Sequence, residues 1–323
     1  MRQRRKTYWT SWLLMGVCMA LATSACSRNA GRQPAADRGI TPSKKPQVYV
    51  VNYPLKYFAD RIGGDLVDVH FPAPPAIDPA FWKPNVETIG AYQTADLILL
   101  NGADYAKWIA TTTLPGSKLF DTTSDIRDKY LRVQDAVTHS HGPQGEHNHA
   151  EIAFTTWLDM QIAIAQATSI KAAMQKLLPD KKELFSGNLS KLVSDLSALD
   201  KQLENLAAGS RDLPLVASHP VYQYLAKRYG LNVKNVHWEP NELPDGKSWQ
   251  QFQQLITTHP AKVMIWEGPP IDPIVSQLTE HGLQCCTFDP CGNTPAEGDF
   301  LSIMSDNVMN LKASLRDRDD IAL

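Results

Sequence analysis

The sequence predicts an α/β protein with two lobes, each built on a parallel sheet, joined by one long rigid helix. Short apolar and β-branched runs alternate with amphipathic stretches in the first half of the chain, and the same alternation returns in the second half. Between the halves lies one long stretch of leucines at helical spacing. Strands that alternate with helices form parallel sheets covered by helices, so two such series predict two lobes.

Residues 1–25 are typical of an export signal. The basic start "MRQRRK" precedes the apolar run "WLLMGVCMALA", which is too short for a comfortable membrane span. The small residues of "TSAC" end at Cys26, which predicts lipid attachment there; the alternative is ordinary cleavage after "ALA" at 20–22. We therefore expect an exported protein, periplasmic or extracytoplasmic, anchored to the membrane as a lipoprotein.

Residues 26–46 predict a flexible tether. The stretch "SRNAGRQPAADRGITPSKKP" is rich in alanine, proline, glycine and charge and has no periodic apolar residues. The formal net charge of the whole chain is −2, so nothing indicates a nucleic-acid partner. The folded part is expected to begin near Gln47.

Residues 47–178 are expected to form the N-terminal lobe. The runs "VYVVNYPL", "VDVHFPA" and "ADLILLNGA" are typical of buried strands, and "KYFADRIGG" is typical of a helix stopped by glycines. This βαβ order makes the lobe Rossmann-like. Near its end the lobe carries a histidine-rich loop at residues 138–150.

Residues 179–209 predict the connecting helix. Pro179 stands before its start and Gly209 marks its end, while Gly187 is the one interruption. The apolar positions at helical spacing are Leu189, Leu192, Val193, Leu196, Leu199, Leu203 and Leu206. At the usual rise per residue the run spans on the order of 40 Å, enough to cross between lobes. The alternative is a surface helix of a single domain.

Residues 210–323 repeat the pattern of the first lobe and predict a second Rossmann-like lobe. The strand candidates are "LPLVASH", "KNVHWE", "AKVMIWEG" and "LQCCTFD". The helix candidates between them are "PVYQYLAKRYG", "SWQQFQQLITTH" and "IDPIVSQLTEHG".

Three cysteines of this lobe, Cys285, Cys286 and Cys291, are disulfide candidates. They lie together in "CCTFDPCG", and an exported protein permits a bridge between Cys291 and one of the adjacent pair. The odd count leaves one thiol unexplained. A cysteine-rich metal site is the alternative.

A signal, a tether, two lobes and a connector describe a solute-binding receptor of an importer. We find no G-x-S-x-G, H-E-x-x-H or glycine-rich phosphate motif, so we expect no enzyme activity. The ligand of such a protein is expected in the cleft at the carboxyl ends of the strands.

The chain also resembles the metal-binding receptors of zinc and manganese ABC importers, from about Gln47 to Asn310. The blocks that carry the resemblance are "DPAFWKPN", "TADLILLNGADYAKWI", "TTWLD", "SHPVYQYLAKRYGL", "WEGPP" and "FDP". The resemblance implies two lobes joined by a long helix with an ion between them. It also implies a membrane permease as partner and a receptor that works as a monomer.

The resemblance implies a shell of three histidines and one carboxylate, of which this sequence retains two members. His219 in "SHPVYQY" and Asp289 in "FDP" match the pattern. Ala80 and Thr155 stand where the other two histidines are usual. Neither a methyl group nor a neutral hydroxyl replaces an imidazole nitrogen for zinc.

The histidine-rich loop offers replacement ligands, because it ends a few residues before Thr155. Its glycines and proline make a pliable turn that can bring two His-x-His pairs together. The candidate metal ligands here are His139, His141, His147 and His149. The alternatives are a mobile accessory loop that gathers ions weakly and a solvated loop with no metal role.

Further carboxylates near the predicted strand ends are weaker candidates. Asp78 and Glu267 can supply an oxygen ligand, although Asp-Pro is also a common turn opener. Glu239 and Glu242 are expected to be solvated or hydrogen-bonded carboxylates. The scattered histidines His70, His237, His259 and His281 are expected to be structural.

The expected cargo is Zn²⁺, with Mn²⁺ as the alternative, because imidazole ligands with one carboxylate suit zinc. The expected function is capture of a divalent metal outside the cytoplasm and delivery to the permease of an ABC importer. The alternative function is that of a degenerate receptor, which acts as a periplasmic metal buffer or chaperone or binds a non-metal ligand.

Overall fold

The computed structural model describes residues 44–75, 77–133, 138–140, 146–148 and 152–316; for the two short middle segments it describes the backbone. Within these ranges no helix has both the length and the apolarity needed to cross a membrane. The expected signal peptide, Cys26 and almost all of the tether lie outside the described residues.

The first sheet has four parallel strands in the order β2-β1-β3-β4. The strands are β1 Gln47–Val50, β2 Asp68–His70, β3 Leu97–Leu100 and β4 Leu119–Asp121. The apolar sequence "LILL" of β3 is typical of a strand that helices cover on both faces. The sheet grows in opposite directions from β1 and β3, and ligands of α/β proteins bind near such a reversal, beyond the carboxyl ends of the strands.

Side-chain caps fix where the helices of this lobe begin. α1 spans Tyr53–Gly63, and the Asn52 side chain accepts a hydrogen bond from Leu55 N at 3.1 Å. α2 spans Val86–Thr94, and the Asn85 side chain accepts one from Thr88 N at 2.8 Å. The Asn52 cap therefore starts a helix inside the run that was predicted to continue as a strand.

The histidine-rich loop contains a short antiparallel hairpin, β5 Thr138–Ser140 with β6 Glu146–Asn148. His139 and His147 are paired across this ladder. His141 and His149 lie outside the described residues.

Two long helices follow. α3 spans Met160–Leu177, and α4 spans Lys182–Ala208 after one 3-10 turn at Pro179–Lys181. α4 has 27 residues, about 40 Å at the usual rise. Its buried side chains include four of the leucines expected to lie on one face, namely Leu192, Leu196, Leu199 and Leu203.

The second sheet is also parallel and has the order β10-β9-β7-β8. Its strands are β7 Pro214–Ala217, β8 Asn232–Asn235, β9 Val263–Trp266 and β10 Gln284–Thr287. Its helices are α5 Gln223–Tyr229, α6 Gly246–Thr258, α7 Asp272–Glu280 and α8 Phe300–Arg316. The predicted fold class of two parallel-sheet lobes with a long helix between them is confirmed.

A buried carboxylate fastens the long helix to its neighbours. Asp200 on α4 is 5% exposed and accepts four hydrogen bonds. Two come from Arg228 on α5 at 3.2 and 2.7 Å, one from the Tyr229 hydroxyl at 2.8 Å, and one from Gln161 on α3 at 2.7 Å. Because every buried polar oxygen here has partners, this contact fixes the second lobe against the helices.

The larger hydrophobic core runs through both lobes. It includes Val48 of β1, Leu196 of α4 and Phe288 after β10. Phe300 of α8 packs edge-on against Phe58 of α1, with ring centroids 5.3 Å apart. A smaller core lies in the second lobe, between its sheet and helices α6 and α7. A core shared between lobes favours small relative movements rather than wide opening.

The three cysteines of the second lobe are free thiols, so the expected disulfide is not formed. Cys285 and Cys286 are consecutive residues of β10, and consecutive strand residues point to opposite faces. Cys286 and Cys291 belong to the larger core, whereas Cys285 packs against the smaller one. Burial raises the pKa of Cys285 and of Cys286 to about 11, which keeps both thiols protonated.

Candidate functional site

A cleft of about 530 Å³ lies beyond the carboxyl ends of the two sheets. The first lobe contributes Asp78 and Thr155 to its lining, and the second lobe contributes His219, Glu267 and Asp289. The carboxyl ends of parallel strands meet at one edge of a sheet, so residues that follow different strands converge there. This position agrees with the expectation from sequence that the ligand site lies between the lobes.

His219 lies two residues beyond β7 and is held between two carboxylates. Its Nδ1 lies 3.1 Å from Glu267 Oε1, and its Nε2 lies 3.4 Å from Glu239 Oε1. The side chain is 7% exposed, whereas Glu239 is 40% and Glu267 35% exposed. The His237 ring stands edge-on to the His219 ring at 6.3 Å. His219 is therefore a buried imidazole with both nitrogens facing negative charge.

The carboxylates control the protonation of His219. Burial by itself lowers the pKa of His219, but the hydrogen bonds and charges of Glu239 and Glu267 outweigh it and raise that pKa to about 10. In the metal-free chain the ring is consequently an imidazolium between two carboxylates. A metal ion at either nitrogen has to displace a proton.

Asp289 lies two residues beyond β10 and is held by α8. Its backbone N–H donates to Asn307 Oδ1 at 2.9 Å, and Asn307 Nδ2 donates to its carbonyl at 2.7 Å. Its Oδ1 accepts from Cys291 N at 2.7 Å. Burial raises the pKa of Asp289, the bond from Cys291 N lowers it, and the charge of Glu267 raises it further. The carboxylate is thus positioned in the cleft.

The two positions without histidine take structural roles. Ala80 is fully buried, and its N–H donates to Asp78 Oδ1 at 2.8 Å, so that oxygen of Asp78 supports a turn. The Thr155 hydroxyl donates to the carbonyl of Val221 in the second lobe. Neither position supplies a nitrogen ligand, as the sequence predicted.

Other hydrogen bonds across the cleft hold the lobes together. Trp157 Nε1 donates to the Pro290 carbonyl at 2.7 Å, and Tyr53 N donates to the Gly292 carbonyl at 3.0 Å. Asn293 Nδ2 donates to the carbonyl of Ile77 at 2.7 Å. Each of these bonds joins a residue of the first lobe to a residue of the second lobe that lines the cleft.

The candidate ligands do not form a complete shell by themselves. In the part of the chain that the structure describes, no three His, Cys, Asp or Glu side chains converge as ligands of one ion. Glu239 and Glu267 face opposite nitrogens of His219, so one ion bonded to the ring cannot reach both. The hairpin histidines remain predicted ligands, because the side chains of His139 and His147 are not described.

The remaining histidines have other partners, as expected. His70 stacks on Tyr49 at 4.7 Å, and His259 Nε2 contacts the Leu215 carbonyl at 2.9 Å. His281 Nδ1 contacts the Gln277 carbonyl at 3.1 Å. Glu239 was expected to be a solvated or hydrogen-bonded carboxylate, and its contact with His219 was not predicted. The sequence signal was the position of Glu239 as the last residue of the predicted strand "KNVHWE".

A family model described as the periplasmic zinc-uptake complex component A, ZnuA, matches residues 48–314. The chain is 26% identical over 319 residues to the high-affinity zinc uptake system protein ZnuA of Bacillus subtilis, covering 95% of this chain and 98% of that protein. It is 23% identical to the zinc-binding lipoprotein AdcA of Streptococcus pneumoniae, covering 94% of this chain but only 60% of AdcA.

Solved structures share the fold. The metal-dependent lipoprotein YcdH of Bacillus subtilis has a TM-score of 0.71 at 22% identity and covers 84% of this chain and 99% of its own. The Zn(II)-bound ZnuA-like domain of Streptococcus pneumoniae AdcA has a TM-score of 0.71 at 20% identity and covers 84% and 98%. At these identities the likeness establishes the architecture alone.

Proposed function

The chain belongs to the family of periplasmic zinc-uptake components, and we propose that it captures a divalent metal ion outside the cytoplasm and delivers it to the permease of an ABC importer. Zn²⁺ is the favoured cargo and Mn²⁺ the alternative. The observation that carries the proposal is the position of His219, buried at the carboxyl edge of the second sheet with carboxylates beside both ring nitrogens.

The proposed mechanism is capture without turnover. His219 and Asp289 replace part of the water shell of the ion, and further donors complete the shell. Glu267 and Asp78 are the carboxylate candidates, and the hairpin adds histidine candidates. Family membership agrees with the expectation that the chain is a receptor rather than an enzyme.

Delivery requires the receptor to stay near its permease. AdcA and several other relatives are named lipoproteins, which supports the proposal of a lipid anchor at Cys26. The loaded receptor, acting as a monomer, docks through both lobes. The shared core and the long helix restrict closure to small shifts of a lobe or of the hairpin.

The function is tested by equilibrium titration of the purified protein with Zn²⁺. One tight site per chain that is lost in His219→Ala supports the importer receptor. A control variant, His281→Ala, removes an exposed histidine far along the chain and is expected to bind as the unchanged protein does. Zinc binding that survives His219→Ala unchanged would contradict the proposal.

A second candidate is a degenerate receptor that buffers metal or binds a non-metal ligand. The cleft volume of about 530 Å³ is in the range of small-molecule sites, and Phe81, Phe154, Tyr105 and Trp157 line it. Ala80 and Thr155 stand at the two positions where the resemblance implies histidines. Several weak zinc sites that disappear when residues 139–149 are deleted support the buffer. Absence of zinc binding supports an organic ligand.

A further inference from the structure

Glu239 is held beside His219 by backbone pairing that continues beyond the second sheet. After β8 ends, Val236 N donates to the Ala217 carbonyl and Trp238 N donates to the Ser218 carbonyl, both at 2.9 Å. On the other side of Glu239, the Pro240 carbonyl accepts from Ile271 N at 2.8 Å. Backbone bonds on both sides therefore fix the position from which the Glu239 side chain reaches the cleft.

The two carboxylates on His219 occupy different places relative to an ion. The distance from Nδ1 to Glu267 Oε1 is 3.1 Å, the shorter of the two carboxylate contacts of the ring. Metal-bound histidines usually donate the second ring N–H to a carboxylate, which fixes the ring and its tautomer. Glu267, beside Nδ1, has the position of such an orienting carboxylate. Nε2 is then the nitrogen available to an ion.

The distance on the Nε2 side fits two ligands of one zinc ion. With the usual Zn–N and Zn–O bond lengths and tetrahedral angles, the two ligand atoms stand about 3.4 Å apart. An octahedral ion with bonds of similar length needs about 3.0 Å. The observed separation between His219 Nε2 and Glu239 Oε1 is 3.4 Å, which equals the separation expected for two ligands of one tetrahedral ion.

We propose that Glu239 Oε1 and His219 Nε2 are neighbouring ligands of the captured ion, with Glu267 as the positioning residue that accepts the Nδ1 proton. This inference rests on the proposed function and adds one ligand to it. Asp289 lines the same cleft and is the candidate third ligand, which requires its side chain to move toward these two atoms. The second lobe thereby replaces, with a carboxylate, part of what Ala80 and Thr155 no longer supply.

The test measures zinc affinity by competition with a chromophoric chelator in full-length protein. Glu239→Gln is expected to weaken zinc binding by about 100-fold or more, because loss of a ligand exceeds the roughly 10–100-fold cost of an outer-shell change. Glu239→Asp is expected to recover part of this loss. Glu242→Gln, which removes an exposed carboxylate three residues away, is the matched control and is expected to bind like the unchanged protein.

Glu267→Gln separates positioning from ligation. It is expected to weaken zinc binding by roughly 10–100-fold. In long-range ¹H–¹⁵N spectra of the zinc-bound protein, His219 is expected to carry its proton on Nδ1 and zinc on Nε2. Glu239→Gln should keep this tautomer in saturating zinc, whereas Glu267→Gln should shift the Nδ1–H signal. Thermal unfolding of each variant establishes that it is folded.

The outcomes distinguish this inference from the function on which it rests. If His219→Ala abolishes tight zinc binding but Glu239→Gln binds as tightly as Glu242→Gln, the inference is overturned and the receptor function stands. If zinc is found on Nδ1 with Glu267 as its ligand, the assigned roles of the two glutamates are overturned. If His219→Ala leaves zinc binding unchanged, the proposed function fails as well.

Discussion

Replacement of Asp200 by asparagine tests how the long helix holds the second lobe. The two carboxylate oxygens accept four hydrogen bonds, two of them from the Arg228 guanidinium. An asparagine keeps one oxygen and turns an N–H₂ group toward donors. Arg228 then retains Glu204 at 3.0 Å, which is 41% exposed, and Asp159 at the longer distance of 3.7 Å. Removing one partner of a buried ion pair costs roughly 3–5 kcal/mol. Because the Arg228 side chain is 26% exposed, we expect the lower end, about 3 kcal/mol.

The assay is urea unfolding of Asp200→Asn beside a control, Glu204→Gln. Glu204 accepts from the same guanidinium at 3.0 Å but is 41% exposed, so its removal is expected to cost less than about 1 kcal/mol. Equal losses in the two variants would refute the idea that burial makes the Asp200 contact strong. A loss under about 1 kcal/mol for Asp200→Asn would refute it too.

The same variant gives a pH test with a defined sign. Burial by itself raises the pKa of Asp200, but the hydrogen bonds from Arg228, Gln161 and Tyr229 outweigh it and lower that pKa. A depressed carboxyl pKa stabilises the fold above the unfolded-state value of about 3.9, and the contribution is lost as pH falls through the folded-state value. The difference between the unchanged protein and Asp200→Asn should therefore be constant near neutrality and shrink below about pH 4. A difference that grows on acidification contradicts this account.

Three further predictions concern the lobes and the cysteines. Thr155→Val removes the hydroxyl that donates to the Val221 carbonyl, so the free energy of unfolding should fall by about 1 kcal/mol in urea titrations; no change would show that the bond contributes nothing. Gly102→Ala should lower the free energy of unfolding by more than about 1 kcal/mol, because the residue has φ +73° and a Cβ would stand 2.0 Å from Thr123 Oγ1. Gly116→Ala, with open space around it, is the control. Equal losses of unfolding free energy in the two variants would contradict this explanation. After unfolding without reductant, the three cysteines of the second lobe should all be alkylated. A disulfide would instead leave two of them unmodified, and the unalkylated chain would be two hydrogens lighter than its reduced form.

Sequence reasoning identified most of the architecture because the strands are short buried runs between amphipathic helices. It misplaced the boundary where an apolar run crosses from strand to helix, since β1 ends at Val50 and α1 begins at Tyr53. Periodicity cannot separate a buried strand from a buried helix turn in so short a run. The Asn52 cap decides the boundary, and capping depends on the backbone conformation. Sequence reasoning also placed the second strand of the second lobe at 234–239, whereas β8 spans Asn232–Asn235.

The candidate site was predictable only in part. His219 and Asp289 follow predicted strands, so their meeting in the cleft could be expected from strand order. The contact between Glu239 and His219 could not be predicted. The predicted strand "KNVHWE" reaches Glu239, but the pairing of residues 236 and 238 with the end of β7 is what brings its side chain beside the ring. The pattern can predict a strand there, but it does not show which residues of another strand will lie beside it. The disulfide expectation was wrong: the sequence shows that Cys291 lies near the adjacent pair along the chain but not how the sulfur atoms are placed, and all three cysteines are free thiols.

The most direct test is a crystal structure with zinc and anomalous scattering measured on both sides of the zinc edge. Our account predicts one strong peak in the cleft, bonded to His219 Nε2 at about 2.0–2.1 Å. A peak held solely by hairpin histidines, or a cleft without zinc at a concentration that saturates the protein in solution, would contradict it.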